Sequence, residues 1–467
     1  MIRNGINEQK RKMEVICMTS GNPYRLLLRF SMPLVLGNLC QQLYTFVDTI
    51  IVGQKLGMHA LAALGATEWL CFLMFGFIQG MTQGLSIPVA QYFGEGNQEM
   101  EQQAIFHAVL VSMGAAFVFS VAGQLLLSPL LRLLRTPDEL FAMSYLYLQL
   151  LYLGVPVAFA YNMAAAILRA FGNSKAPLCA VVLASFCNIV LDMFFVLAFD
   201  MGIRGAAYGT LLSQVCAGVY CLIALRRIGY AKVERGNRTW KWGMFTEQIR
   251  ISVPMGFQSV ITAIGGLAVQ SVANGFGVLF LAGYTAANKL YGLLEIAASS
   301  YGYGISTYTA QNIGAGKQER IRAGIVAALQ IGVTTAAVMS VIMFACGKPI
   351  LGLFLRESQV ESGAAIAVGY QFLCILGIFF PLLYALYILR ACIQGMGNGF
   401  LPMLSSFLQV LMRVLCAFVV TGIVGDAGIF WGEIMAWMSA DIFLVIVLRR
   451  LWRKGEVFHL SHGISIK

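Results

Sequence analysis

Charge is the scarcest property of this chain. Asp, Glu, Lys and Arg make up only 11% of its 467 residues, against about 25% in a typical soluble domain. A water-soluble domain of this length is excluded by that deficit, because a bilayer is the solvent that forces backbone groups into helices and charges out of the core. Histidine is scarce too. His59, His107, His459 and His462 are the only four, and none sits near a carboxylate in a metal-binding or acid–base spacing, which argues against a membrane-embedded enzyme. The eleven cysteines form no Cys-x-x-Cys pair; scattered through apolar stretches, as at Cys71, Cys187 and Cys374, they read as reduced, packed side chains. Gly314–Ala315–Gly316–Lys317 has the outline of a phosphate loop but lacks the following Ser or Thr and ends an apolar segment, so nucleotide binding is not expected. No cofactor is implied. The net charge of +11 would suggest nucleic acid on a soluble protein. Here the basic residues lie in short loops between apolar segments, where they set membrane orientation instead.

What the chain has in quantity is apolar sequence: 59% of residues are hydrophobic and 49 are glycine, a residue that lets helices approach closely in lipid. Segments long enough to cross the apolar core fall near 27–53, 61–90, 104–127, 140–170, 177–199, 204–225, 250–275, 279–311, 323–346, 362–392, 401–423 and 428–449. These predict an all-α membrane protein of about twelve spans. Residues 1–24 form a polar, basic N-terminal segment, 25–225 an N-lobe (helices 1–6), 226–249 a basic linker, 250–450 a C-lobe (helices 7–12) and 451–467 a tail. An even number of spans puts both termini on one side. Assigning that side to the cytoplasm gathers Arg25, Arg29, Arg169, Lys175, the linker cations and Arg449–Arg450 inside. Only Lys55, Arg132, Arg135, Arg204, Lys348 and Arg356 remain outside, an asymmetry of about fourfold. A multi-pass protein of the plasma (inner) membrane is expected; no oligomeric state follows.

The halves repeat. Ala90–Gln91–Tyr92–Phe93–Gly94–Glu95–Gly96 matches Ala310–Gln311–Asn312–Ile313–Gly314–Ala315–Gly316, and Pro33, Pro129, Pro156 and Pro177 match Pro254, Pro349, Pro381 and Pro402. Six spans per repeat means that both enter the membrane in the same sense, related by an axis along its normal, with a central cavity between them. That is transporter architecture. The paired glycine loops read as tight turns between helices.

Intramembrane ionisable groups are costly and mark function. Asp48 lies 19 residues after Arg29, about 28 Å along its helix, and Asp192 lies 15 residues after Pro177, about 22 Å along another. Asn188 shares the helix face of Asp192, and Thr210 falls at a similar depth on the next helix. Two carboxylates, an amide and a hydroxyl suit transient Na⁺ binding through oxygen, or a proton. The repeat partners of Asp48, Asn188 and Asp192 are about Val269, Arg413 and Ala417, so the acids belong to the first repeat alone. The competing reading is that they cap or pair within the bundle. Glu295, Glu433, Asp441 and Arg413 are candidate cavity-lining groups, with polar helix–helix contact as the alternative. Tyrosines such as Tyr145, Tyr147, Tyr152 and Tyr161 suit either a drug pocket or plain packing.

At Val47–Asp48–Thr49, at both Gln-x-x-Gly-x-Gly loops, at Leu168–Arg169–Ala170–Phe171–Gly172–Asn173 with its equivalent near Gly395–Met396–Gly397–Asn398, and at Asn188–Ile189–Val190–Leu191–Asp192, the chain resembles the MATE (multidrug and toxic compound extrusion) family. The likeness runs from about Arg25 to Arg450. It implies export of small-molecule drugs, chiefly cationic and amphipathic, in antiport with H⁺ or Na⁺ by alternating access. Asp48, Asn188, Asp192 and Thr210 match the N-lobe residues of the DinF-like branch. The seventh helix, Pro254–Met255–Gly256–Phe257–Gln258–Ser259, lacks the acid of the NorM-like branch, so the DinF-like branch is favoured. The wider superfamily includes lipid-linked sugar flippases, which makes lipid flipping the alternative. The mostly acidic intramembrane set favours cationic substrates.

Overall fold

The computed structural model describes residues 15–229, 232–354 and 359–453. Most of the expected N-terminal segment, the tail from residue 454, and Arg356 of the outer basic set lie outside the described residues. Every regular element among the described residues is helical: α1 (Pro23–Glu95), α2 (Gln98–Leu133), α3 (Asp138–Leu153), α4 (Val155–Ala170), α5 (Lys175–Asp192), α6 (Ile203–Ile228), α7 (Trp242–Ala273), α8 (Val278–Gly314), α9 (Gln318–Phe354), α10 (Gln359–Gly395), α11 (Phe400–Leu415) and α12 (Ala427–Arg453). Helices keep every backbone hydrogen bond within one segment, which lipid demands.

Nine helices among the described residues are long and apolar enough to cross a membrane, and the bent pair α3–α4 makes ten. The run α1 is two spans joined at Gly57, whose φ of 79° and ψ of −173° break the helix into arms 23–56 and 58–95. With α8, rich in Gly, Ser, Thr and Tyr, that gives the twelve segments read from the sequence. The fourth expected span, 140–170, is not one rod: α3 and α4 meet at Gly154 with a bend of 49°. Its counterpart α10 runs unbroken through Pro381. A Cβ on Gly154 would strike Leu211 of α6, so close packing holds that bend.

The outer surface is apolar, unlike that of a soluble protein, over an interior that is also largely apolar. Phe117 and Leu125 are more than 70% exposed, while Thr82, Gln91, Gln311 and Asn312 are buried. Large apolar side chains on the outside and polar ones within are what a lipid-facing bundle shows.

The chain divides into two units, one of residues 1–20 and 29–256, the other of 21–28 and 257–467. Their internal detail repeats. In the first, Gly96 N–H donates to Phe93 O and Asn97 N–H to Tyr92 O, with φ of 79° at Gly96. In the second, Gly316 N–H donates to Ile313 O and Lys317 N–H to Asn312 O, with φ of 68° at Gly316. These are helix C-terminal turns closed by a left-handed glycine, the tight turns expected of the matched loops. A second pair agrees. Asn173 and Asn398 each accept, through Oδ1, the backbone N–H three residues on, from Ala176 and from Leu401. After α5 and after α11 the chain also makes the same uncommon feature, a π-helical turn at Met193–Ala198 and at Cys416–Val420. Such turns add one residue per turn and recur at functional sites.

Candidate functional site

The first unit brings the expected acids together. The first arm of α1 packs on α5 where Gly37 meets Leu178. Both helices were expected to run in the same sense, so climbing 11 residues from Gly37 and 14 from Leu178 reaches Asp48 and Asp192 at heights of about 16 and 21 Å. Their carboxyls lie within electrostatic range of each other. Asn188, one turn below Asp192 on the same face, is buried.

These side chains are short of partners. Asp48 Oδ1, both oxygens of Asp192, and both Oδ1 and Nδ2 of Asn188 are buried, and no hydrogen-bond partner among the described residues reaches any of them. Buried polar groups are nearly always satisfied, so a cluster of unsatisfied ones calls for an explanation. Two adjacent carboxylates in a medium of low dielectric repel each other strongly, so a proton or a cation between them relieves the repulsion.

Asp192 is held by its surroundings, not by hydrogen bonds. A Cβ on Gly209 of α6 would overlap Asp192 Oδ1, and one on Gly205 would crowd Phe195 and Val196 of the π-helical turn. Gly205 and Gly209 are four apart on one face of α6, and this small-x-x-x-small spacing lets α6 close on the end of α5. Thr210 follows Gly209 directly and is half-buried; its backbone carbonyl accepts from Ser213 Oγ. Tyr44, one turn before Asp48, and the buried Tyr147 of α3 lie within electrostatic range of both carboxyls. Sequence reasoning missed Gly209 and Tyr44. The Gly-x-x-x-Gly of residues 205–209 and the four-residue spacing from Tyr44 to Asp48 are the signals that point to them.

The C-lobe candidates are arranged differently. Arg413 of α11 donates from Nη2 to Glu433 Oε2 of α12 at 2.5 Å, and Tyr387 Oη of α10 donates to Glu295 Oε1 of α8 at 2.5 Å. Arg390 of α10 binds the uncharged Ser405 Oγ (3.2 Å) and Gln409 Oε1 (2.9 Å) of α11, with Glu295 and Asp441 within electrostatic reach. Asp441 is buried, and no hydrogen-bond donor among the described residues reaches its carboxyl. Glu433, Trp437 and Asp441 recur every four residues on one face of α12. The second unit thus pairs one acid, Glu433, with a base, where the first sets acid against acid.

Comparison with known proteins places these features. The MatE family model matches twice, over residues 33–194 and 254–419, once per repeat. The chain is 30% identical over 409 residues to the probable multidrug resistance protein YpnP of Bacillus subtilis (strain 168), covering 87% of this chain and 88% of the relative. It is 24% identical to the probable multidrug resistance protein YoeA of the same organism, over 94% and 96% of the two chains. Among solved structures, an outward-facing multidrug resistance MATE family transporter of the MOP superfamily superposes with a TM-score of 0.86 at 23% identity, covering 95% of this chain and 98% of the other.

Proposed function

The chain belongs to the MatE family, and we propose that it is a secondary active multidrug exporter that expels cationic, amphipathic drugs in antiport with H⁺ or Na⁺ by alternating access. It works as a carrier, not an enzyme, in the plasma membrane with both termini in the cytoplasm. The observation that carries this reading is the set of five orphaned polar atoms on Asp48, Asn188 and Asp192. Neutralisation of the Asp48–Asp192 pair by an entering ion removes the repulsion between the carboxyls. The first arm of α1 then repacks, with Pro33 as its weak point, because proline lacks the backbone N–H that would tie that turn. Na⁺ would draw on the oxygens of Asp48, Asp192, Asn188 and Thr210; a proton needs only the two carboxyls. Glu295, Glu433, Asp441 and Arg413 line the drug path in the second lobe, and the acidic majority among them favours cations.

Ethidium efflux from cells expressing the protein tests this, with Na⁺ and pH gradients imposed separately. Wild type is expected to lower dye accumulation, and Asp48→Asn and Asp192→Asn each to abolish the effect while reaching the membrane in normal amount. The gradient that drives efflux then names the ion. Normal efflux by both variants would sink the proposed coupling site. No efflux by wild type under either gradient would move a lipid-linked substrate to the front.

A further inference from the structure

The connection between α6 and α7 is a short, basic and aromatic segment bound tightly to α2. Gln102 Oε1 accepts both the backbone N–H of Glu234 and the side-chain amide of Asn237, each at 2.9 Å. His107 accepts the backbone N–H of Lys241 at Nε2 (2.9 Å) while its Nδ1 bonds Gln103 O (2.8 Å). Gln248 Nε2 donates to Ala104 O at 2.8 Å. Gln102, His107 and Gln248 are all buried. This connection is fixed in place chiefly by its backbone, and its cationic side chains are left exposed.

Those side chains have one character. Lys232, Arg235, Arg238 and Lys241 are exposed, and from residue 226 to 250 the acids Glu234 and Glu247 stand against seven Lys and Arg. Trp240 and Trp242 lie edge to face, 5.5 Å apart, and both pack on Phe245. Yet Trp240 is 46% and Trp242 68% exposed. Trp242 is the first residue of the span α7. Tryptophan at the end of a span sits at headgroup depth, and cations beside it meet whatever charge the headgroups carry.

We propose that residues 232–242, fastened along the start of α2, form a binding site for the anionic headgroups of membrane phospholipids. The four cations meet the phosphate and the two indoles lodge at the boundary between headgroup and acyl chain. The proposal needs only that the chain spans a bilayer, and it stands or falls separately from drug efflux.

The test uses the purified full-length protein in detergent, with binding of phosphatidylglycerol and phosphatidylcholine followed by native mass spectrometry. Wild type is expected to retain phosphatidylglycerol in preference. The variant Lys232→Gln/Arg235→Gln/Arg238→Gln/Lys241→Gln should bind it at least about tenfold more weakly, each cation near a lipid surface counting for several-fold. A control variant with Arg25, Arg29, Arg449 and Arg450 changed to Gln, also four exposed cations, should stay near wild type. Equal losses in the two variants would mean diffuse surface charge and overturn the site. A second measurement does not depend on the charge variant folding. Brominated phosphatidylglycerol in nanodiscs should quench wild-type tryptophan fluorescence more than brominated phosphatidylcholine does. That excess should vanish in Trp240→Phe/Trp242→Phe, and its survival there would place the lipid elsewhere and end the proposal.

Discussion

Asp192 has neither a donor for its oxygens nor space beside them. The second condition comes from Gly209, and a methyl group there must push the carboxyl off its position against Asp48. Overpacking of this kind costs about 1–3 kcal/mol, small enough to leave the bundle folded. Gly209→Ala is therefore expected to cut gradient-driven dye efflux by about tenfold or more with the yield of folded protein nearly unchanged. Gly114→Ala, at a site where nothing lies within 4 Å, should behave as wild type in the same assay. At this scale the sequence displayed the acids plainly, because an ionisable residue inside an apolar run stands out. It did not display the glycine as part of the site, because a missing side chain acquires meaning only from what fills its place.

Between helices, the contact that defines the second unit is Arg413 on α11 with Glu433 on α12, both side chains little more than a tenth exposed. Taking one partner from such a pair leaves the other charge buried alone, a loss of about 3–5 kcal/mol. Glu433→Leu and Arg413→Met should each lower the melting temperature of the purified protein sharply. The double variant should lose much less than the sum of the two, since no lone charge remains. Equal and additive losses would mean that the pair contributes through packing alone. The pairing was hidden in the sequence, where Arg413 is a lone cation twenty residues from its partner on another helix. The twelve spans were legible at this scale because a hydrocarbon core imposes a minimum apolar length. The bend between α3 and α4 was not, because it depends on Gly154 meeting Leu211 across helices.

Across the whole molecule, each unit has the same turns at Gly96 and Gly316, the same asparagine caps and the same π-helical turn, yet only one has the acid pair. The repeated parts are what helix geometry requires, and the unrepeated acid pair is where we propose the chemistry lies. Backbone duplication was readable in paired prolines and glycines, and the loss of the acids in the second half was readable at Ala417. If position alone conferred the function, an acid moved to the matching turn would restore it. We expect Asp192→Asn/Ala417→Asp to stay as inactive in dye efflux as Asp192→Asn, because position 269, the repeat counterpart of Asp48, is valine and Arg413 occupies the place of Asn188. Recovery of efflux would show the two halves to be interchangeable.

The junction at Gly57 has a consequence for how the protein is recognised. One residue joins two arms of 34 and 38 residues, so helix runs up to the break on both sides and no loop intervenes. Each arm, at more than about 50 Å, is far longer than the hydrocarbon it crosses. An antibody raised against a flexible peptide of this stretch would find no such peptide on the folded protein. Recognition there has to read the side of a helix, beginning with the almost fully exposed Met58.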